Sequence, residues 1–199
     1  MNLPNKLTVF RILLVPIIVI LAYINIPGEV LGISTKFIII DAIFIIASIT
    51  DKLDGYLARK MNLVTNFGKF LDPIADKILV ISVLLLLTEL QKIPAWISIV
   101  VIFREFLVSG YRLVAAQSDG KVIAASIWGK LKTTIQMIAI ILVLLDAHSF
   151  FDFAKGLGLS GFGFYFNIVT SVAMCLAVIA TIFSGWDYLR QGKDLFKNK

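Results

Sequence analysis

Four aspartates lie at the two ends of one short connection between apolar segments. Asp51 and Asp54 end one apolar run, and Asp72 and Asp76 begin the next. Residues three or four positions apart share a helix face, so each pair presents its carboxylates together. Acids are costly in a membrane and repel one another, so a cation is expected to offset them. Oxygen-only ligands favour Mg²⁺, Mn²⁺ or Ca²⁺, and two ions about 3.5–4 Å apart would clamp a phosphoryl group.

The second pair also has a purely structural interpretation. Asp72 precedes Pro73, as in an N-cap followed by proline at the first helical position, and Asp76 would then be a first-turn acid. Asp51 and Asp54 lie near the C-terminal end of their helix, where the helix dipole disfavours acids. Because capping explains only one pair, metal binding is the favoured interpretation of all four.

Three small residues, Gly55, Ala58 and Gly68, accompany the acids. They leave room for a ligand to approach the carboxylates closely. Small residues also allow tight packing between membrane helices, and packing would be favoured for each residue taken singly. Their place beside four acids favours a binding role.

The elements that carry these residues are predicted to be membrane helices. Of the 199 residues, 59% are hydrophobic and 16% are charged, whereas soluble domains carry about 25% charged residues. Apolar stretches of roughly the 20-residue spanning length recur along the chain. We expect one all-α membrane domain over residues 1–199, with six transmembrane helices at about 7–26, 37–58, 70–89, 94–113, 123–146 and 163–186.

The positive charges predict how this domain is oriented. Six spans put both termini on one side, and if that side is the cytoplasm, the outer connections hold only Lys36, Lys92 and Lys155. Because all other Lys and Arg residues fall on or near the inner face, we expect both termini to be cytoplasmic. The net charge of +6 then indicates topology and anionic lipid rather than nucleic acid. The second and third spans, joined by a short inner connection, are expected to pack side by side and bring the acids together at the cytoplasmic boundary of the cell membrane.

The acids and small residues follow a longer pattern, D-x2-D-G-x2-A-R-x8-G-x3-D-x3-D. Every spacing is met, by Asp51, Asp54, Gly55, Ala58, Arg59, Gly68, Asp72 and Asp76. The pattern resembles the signature of the CDP-alcohol phosphotransferase family, whose length and number of spans are also similar. The resemblance implies a membrane enzyme that transfers a phosphatidyl or similar group from a CDP-linked donor to an alcohol and releases CMP. It also implies a homodimer.

The resemblance assigns roles to individual residues. Asp51, Asp54 and Asp72 would bind Mg²⁺ or Mn²⁺, as two ions, and Asp76 would be the general base and a further ligand. The residues along the cytidine diphosphate would be Gly55, Ala58, Arg59 and Gly68. The chain has a single histidine, His148, which argues against a phosphohistidine intermediate and favours direct transfer, with a carboxylate as the available base.

A second set of residues bears on the acceptor alcohol. The stretches PNKLTVFR, FREFLVSGYRLVAAQ and GKLKT resemble, more loosely, bacterial family members that use sn-glycerol 3-phosphate with CDP-diacylglycerol. Arg104, Arg112, Lys130 and Lys132 would cradle the phosphate of that acceptor, although snorkelling or anchoring is an alternative for the lysines. Glu105 is a possible partner of Arg104.

The N-terminal helix is expected to close the site. Asn5 and Thr8 would lie on the donor side, and Arg11 would add to the acceptor-phosphate group.

Two other functions stay open at this point. A sibling enzyme of the family would use another alcohol, such as inositol phosphate, phosphatidylglycerol or serine. A cation transporter would use the acids as an ion pathway, but such a pathway should continue across the membrane, whereas these acids cluster at one face.

Overall fold

The computed structural model describes residues 2–30, 32–60, 66–118, 127–155 and 159–191. Side chains are described for these residues except 3, 4, 52–60, 66, 67, 69, 70, 113–118 and 191.

Across the described ranges the chain forms six α-helices, a small β-hairpin and one 3₁₀ helix. The helices are α1 (Leu3–Tyr23), α2 (Thr35–Lys60), α3 (Asn66–Glu89), α4 (Ala95–Ser118), α5 (Ile127–Leu145) and α6 (Gly161–Gln191). Each predicted span coincides with one helix, although several boundaries differ by about a turn. Residues 123–126, at the start of the predicted fifth span, lie outside the described residues.

Three of the helices are long and apolar enough to cross a membrane. They contain the segments Asn5–Tyr23, Ile127–Leu145 and Gly161–Arg190, in α1, α5 and α6. Large apolar side chains such as Phe103, Phe183 and Trp186 are more than half exposed on the outside of the bundle. This surface is the one expected for helices that pack against lipid chains, and the protein is accordingly a membrane protein.

A β-hairpin between α1 and α2 departs from the all-α prediction. Strands β1 (Glu29–Val30) and β2 (Ile33–Ser34) pair antiparallel, with Val30 opposite Ile33. Gly32 has φ +78°, a conformation that suits glycine in a tight turn. Two residues per strand give too weak an alternation for the sequence to have indicated this element.

The start of α3 excludes the capping interpretation of Asp72. The helix begins at Asn66, and Pro73 lies inside it, so Asp72 is within the helix rather than at its N-cap. The sequence pattern Asp-Pro is a local signal for a helix start, and here the chain is already helical when it reaches that signal. Capping therefore cannot account for the position of this acid.

Helix α1 lies between α2 and α3, which corrects the expectation that those two helices pack side by side. Over the described residues α1 packs extensively on both of them, while α2 and α3 contact each other little. A connection of about five residues can reach roughly 17 Å, and neighbouring helix axes are about 8–10 Å apart. A short connection thus leaves room for a third helix between the two that it joins.

The bundle is held together by an apolar core and by close helix pairs. Ile18, Phe44, Leu84 and Ile140 are buried in the core. The most extensive contact is between α5 and α6. Helix α6 carries several small buried residues, Ser171, Ala177, Thr181 and Ser184, which allow the backbones of membrane helices to approach closely.

A buried polar cluster ties the chain together at the end of the bundle where the hairpin lies. Asp146, directly after α5, accepts hydrogen bonds from Asn167 Nδ2 at 2.9 Å, from Thr170 Oγ1 and from the His148 backbone N–H at 3.0 Å. Lys92, between α3 and α4, donates to the Asp146 carbonyl. Burial lowers the pKa of Lys92 to about 8, although the Asp146 charge acts in the opposite direction. Connections that are distant in sequence therefore meet at this end.

We predict that Asp146→Ala lowers the thermal stability of the protein through the loss of contacts at the hairpin end alone. Three donors would lose their acceptor, and an unsatisfied buried polar group costs about 1–3 kcal/mol. The midpoint of thermal unfolding in detergent is expected to fall by roughly 5–10 °C.

The matched control is Lys155→Ala. Lys155 Nζ pairs with Asp152 Oδ1 at 2.7 Å, but the Lys155 side chain is 55% exposed, and exposed ion pairs contribute little to stability. An equal fall in the two variants would contradict the role assigned to the cluster.

Candidate active site

A cavity of about 400 Å³ opens among α2, α3, α4 and α5 at the end of the bundle away from the hairpin. Its walls carry most of the predicted site residues for which side chains are described. The acids that line it are Asp51, Asp72, Asp76 and Glu105, and the bases are Lys77, Arg104, Arg112, Lys130 and Lys132. The cavity therefore places the acids of α2 and α3 opposite the bases of α4 and α5.

Helix α1 holds the acid of α2 through a buried ion pair. Arg11 Nη1 lies 2.8 Å from Asp51 Oδ1, and the Arg11 side chain is fully buried while that of Asp51 is 32% exposed. A buried guanidinium is tolerated only when it is paired. The structure thus groups Arg11 with the acids, whereas the sequence analysis grouped it with the acceptor-phosphate residues.

The same helix holds an acid of α3 through a hydroxyl. Thr8 Oγ1 donates a hydrogen bond to Asp72 Oδ1 at 2.7 Å. Thr8 is 1% exposed, and Asn5, about one turn earlier, is also buried. Thr8 and Arg11 are three residues apart and so lie on one face. One face of α1 therefore fixes one acid from each of the two neighbouring helices.

Part of the predicted signature cannot be placed at the level of side chains. Asp54, Gly55, Ala58 and Arg59 lie on the helical backbone of α2, but their side chains are outside those that the structure describes. Gly68 is buried near the start of α3.

The basic wall is organised around one carboxylate. Lys132 Nζ makes an ion pair with Glu105 Oε1, and Arg104 Nη1 lies 3.3 Å from the same oxygen. Lys132 is 2% exposed, so its ammonium does not snorkel to the surface. Lys130 is exposed at the mouth of the cavity. The predicted contact between Arg104 and Glu105 is confirmed.

Two residues of α6 that the sequence analysis missed support this wall. Arg104 Nη2 donates to Ser184 Oγ, and Arg112 Nη2 donates to Tyr188 Oη. Ser184 and Tyr188 are both fully buried. Their spacing of four residues places them on one helix face, and polar residues on a shared face near the end of an apolar span are the signal that could have found them.

Comparison with protein families identifies the family to which the chain belongs. The family model for CDP-alcohol phosphatidyltransferases matches residues 1–184. The chain therefore belongs to the CDP-alcohol phosphatidyltransferase family, and the resemblance drawn from the signature is confirmed.

Relatives of known name extend over nearly the whole chain. A CDP-diacylglycerol–glycerol-3-phosphate 3-phosphatidyltransferase of Bacillus subtilis is 43% identical, over 98% of this chain and 97% of the relative. An enzyme of the same name from Rickettsia typhi is 39% identical, over 98% of this chain and 99% of the relative. A probable phosphatidylglycerophosphate synthase of Mycobacterium tuberculosis is 36% identical, over 94% of this chain and 80% of the relative.

The family generally depends on a divalent metal, and the residues of the cavity fit one by their chemistry. Carboxylate oxygens, which hard divalent cations prefer, come from Asp51, Asp72 and Asp76. Among the described side chains, no three acids, histidines or cysteines are close enough to surround one ion. The remaining acid of the signature, Asp54, lies outside that set.

We predict that Thr8→Val impairs the site, whereas Thr8→Ser preserves it. Valine keeps the shape of threonine but removes the hydroxyl that orients Asp72, and a hydrogen bond to a charged group contributes about 1.5–3 kcal/mol. Turnover is expected to fall roughly tenfold or more in Thr8→Val and to stay within about threefold in Thr8→Ser.

The measurement is the steady-state rate of CMP formation at equal amounts of folded protein. A Thr8→Val variant as active as the original chain would show that the hydrogen bond to Asp72 has no part in the reaction.

Proposed function

We propose that this membrane enzyme transfers the phosphatidyl group of CDP-diacylglycerol to sn-glycerol 3-phosphate and releases CMP. The observation that carries the proposal is that one cavity joins an acidic wall to a basic wall. The acidic wall suits a metal-bound diphosphate, and the basic wall suits an acceptor that has its own phosphate. The names of relatives that match nearly the full chain support the same substrates.

The acidic side would bind the donor. Asp51, Asp54, Asp72 and Asp76 would hold Mg²⁺ or Mn²⁺, as two ions, which when bound would neutralise charge on the transferred phosphoryl group and on the departing CMP. Arg11 would keep Asp51 in place as its counter-charge. Thr8 would keep Asp72 in place through the hydrogen bond that its hydroxyl donates. The cytidine diphosphate would lie along Asn5, Gly55, Ala58, Arg59 and Gly68.

Asp76 would take the proton from the acceptor. Its side chain is partly buried and lines the cavity between the two walls. The acceptor hydroxyl attacks the β-phosphorus of the donor, the new oxygen–phosphorus bond forms, the bond to the CMP oxygen breaks, and the hydroxyl proton passes to the Asp76 carboxylate. No covalent enzyme intermediate is needed in this direct displacement.

The basic side would bind the acceptor phosphate. Arg104 and Arg112 offer planar forks of donors that match a phosphate group. Lys132 would add a buried positive charge, and Lys130 would attract the anionic acceptor at the exposed mouth. An acceptor that has no phosphate would leave this wall without a ligand.

We also propose that all six helices form one membrane domain that extends over residues 1–199, with both termini in the cytoplasm. Helices α2, α3 and α4 have 26, 24 and 24 residues, which at about 1.5 Å per residue exceeds the roughly 30 Å of the hydrocarbon core. Lys36, Lys92 and Lys155 lie at the hairpin end, so the positive-inside rule puts the cavity at the cytoplasmic face of the cell membrane.

A homodimer is part of the proposal and rests on the family resemblance. The measurement is the molar mass of the detergent-purified protein. A protein mass near 22.1 kDa after subtraction of detergent would refute the dimer.

We predict that the purified protein releases CMP from CDP-diacylglycerol only when both sn-glycerol 3-phosphate and a divalent metal are present. EDTA is expected to abolish the release, and Mg²⁺ or Mn²⁺ to restore it. Release with inositol phosphate, phosphatidylglycerol or serine, but not with glycerol phosphate, would support the transfer reaction and refute glycerol phosphate as its acceptor. No release with any alcohol would refute the proposed enzymatic activity.

Substitution of single acids separates the metal site from the fold in the same assay. Asp72→Asn is expected to abolish CMP release, because it removes a charged metal ligand at nearly constant shape. Asp41→Asn is the control, since Asp41 is also a helical acid but is 4% exposed and lies near the start of α2, away from the cavity. Full activity in the first variant would contradict the site assignment.

The topology is testable with single cysteines. In a Cys175→Ser background, a membrane-impermeant maleimide is expected to label Lys155→Cys on intact cells. Lys199→Cys should be labelled only after permeabilisation, because the carboxyl terminus is expected in the cytoplasm. The reverse pattern would refute the orientation.

A further inference from the structure

Helix α6 supports the basic wall from behind through Ser184 and Tyr188. Neither residue is among those that line the cavity. Tyr188 is 0% exposed, yet both arginines of the wall lie against its ring. The guanidinium carbon of Arg112 is 5.0 Å from the ring centroid, and that of Arg104 is 5.8 Å away. Contacts of this kind between a guanidinium and an aromatic ring are favourable within about 6 Å.

Hydrogen bonds fix how each arginine lies against α6. Arg112 Nη2 donates to the Tyr188 hydroxyl, and Arg104 Nη2 donates to the Ser184 hydroxyl. Each bond occupies one donor at one edge of a guanidinium that has five. Arg104 Nη1 also lies 3.3 Å from Glu105 Oε1, so Arg104 is held through both terminal nitrogens. Both arginines line the cavity.

Two glycines, Gly129 and Gly185, lie beside the arginines and the tyrosine. A Cβ atom at Gly185 would lie 3.4 Å from Arg104 Cγ. A Cβ atom at Gly129 would lie 3.8 Å from the Tyr188 hydroxyl and 3.9 Å from Arg104 Nη2. A methyl group at either position would therefore touch this group of side chains at ordinary van der Waals distance.

We propose that Tyr188 is a positioning residue for the acceptor phosphate, with Ser184 as its partner one turn earlier on α6. Tyr188 touches neither substrate; it holds Arg104 and Arg112 in place beside the cavity, where their remaining donors can bind one phosphate. The inference rests on the proposed function and deepens it, because it specifies what makes the basic wall selective for a phosphorylated alcohol.

The physical reason is the cost of ordering two cations next to each other. Two guanidinium groups repel, and a long side chain that is fixed in one rotamer loses conformational entropy. In this structure the Tyr188 ring and the two hydroxyls already hold the arginines in place, so acceptor binding does not have to order them. Loss of the tyrosine should therefore weaken acceptor binding and leave donor binding unchanged.

The test compares Tyr188→Phe with the original chain. Phenylalanine keeps the ring and the buried volume but cannot accept the hydrogen bond from Arg112. We expect the KM for sn-glycerol 3-phosphate to rise roughly threefold to tenfold, and the KM for CDP-diacylglycerol and the kcat to stay within about twofold. Inorganic phosphate should compete with the acceptor, and its inhibition constant should rise by a similar factor.

Thr181→Val is the matched control on the same helix. Thr181 is also 0% exposed, but its hydroxyl donates at 2.6 Å to the carbonyl of Ala177 in its own helix. Its loss should leave both KM values unchanged. Equal shifts in both KM values for Tyr188→Phe, or a fall in kcat alone, would indicate a merely structural role and overturn the proposal.

A double-mutant cycle decides whether Tyr188 acts through Arg112. If it does, Tyr188→Phe should have no further effect on the acceptor KM in an Arg112→Ala background. Additive effects would overturn the proposal. Failure of the proposed function would appear instead in the original chain, as no CMP release with glycerol phosphate, whereas failure of the positioning role appears only in the variants.

Discussion

The arrangement of side chains at the cavity end of the bundle depends on one buried ion pair, between Arg11 of α1 and Asp51 of α2. A guanidinium that is 0% exposed can persist in an apolar bundle only beside an acid, because without its partner Arg11 would be an isolated buried charge. The pair therefore fixes the rotation of α1 about its axis. With that rotation set, Thr8 faces α3 and meets Asp72. A single helix face thus determines where the acids of two other helices lie.

The basic wall is built on the same plan from the other side of the cavity. There α6 takes the place of α1, and its Ser184 and Tyr188 hold Arg104 and Arg112. In each case a helix behind the wall orients the charged side chains that line the cavity. Hydrogen bonds with buried hydroxyls, which can donate or accept, suit this task in a membrane, since little water is present to compete for the same donors and acceptors.

The sequence predicted the helices and the chemistry better than it predicted the packing. Hydropathy placed every described helix, and the spacing of Asp51, Asp72 and Asp76 indicated acids that the structure places around one cavity. The insertion of α1 between α2 and α3 could not be read from a short connection, because chain reach limits distance and not neighbours. The Asp-Pro pair suggested a helix start as an alternative, but Pro73 is only a local signal, and α3 begins earlier, at Asn66. Tyr188 has only a weak signal, its place four residues after Ser184 near the end of an apolar span.

The two ends of the bundle treat buried polar groups differently, and the difference separates stability from chemistry. At the hairpin end Asp146, Asn167 and Thr170 satisfy one another, and all three are at most 2% exposed. At the other end the carboxylates keep part of their surface open to a cavity, as Asp51 does with 32% exposure. Charged side chains that are held close together at a cavity raise the free energy of the empty site. A cationic or anionic ligand that binds there lowers that free energy.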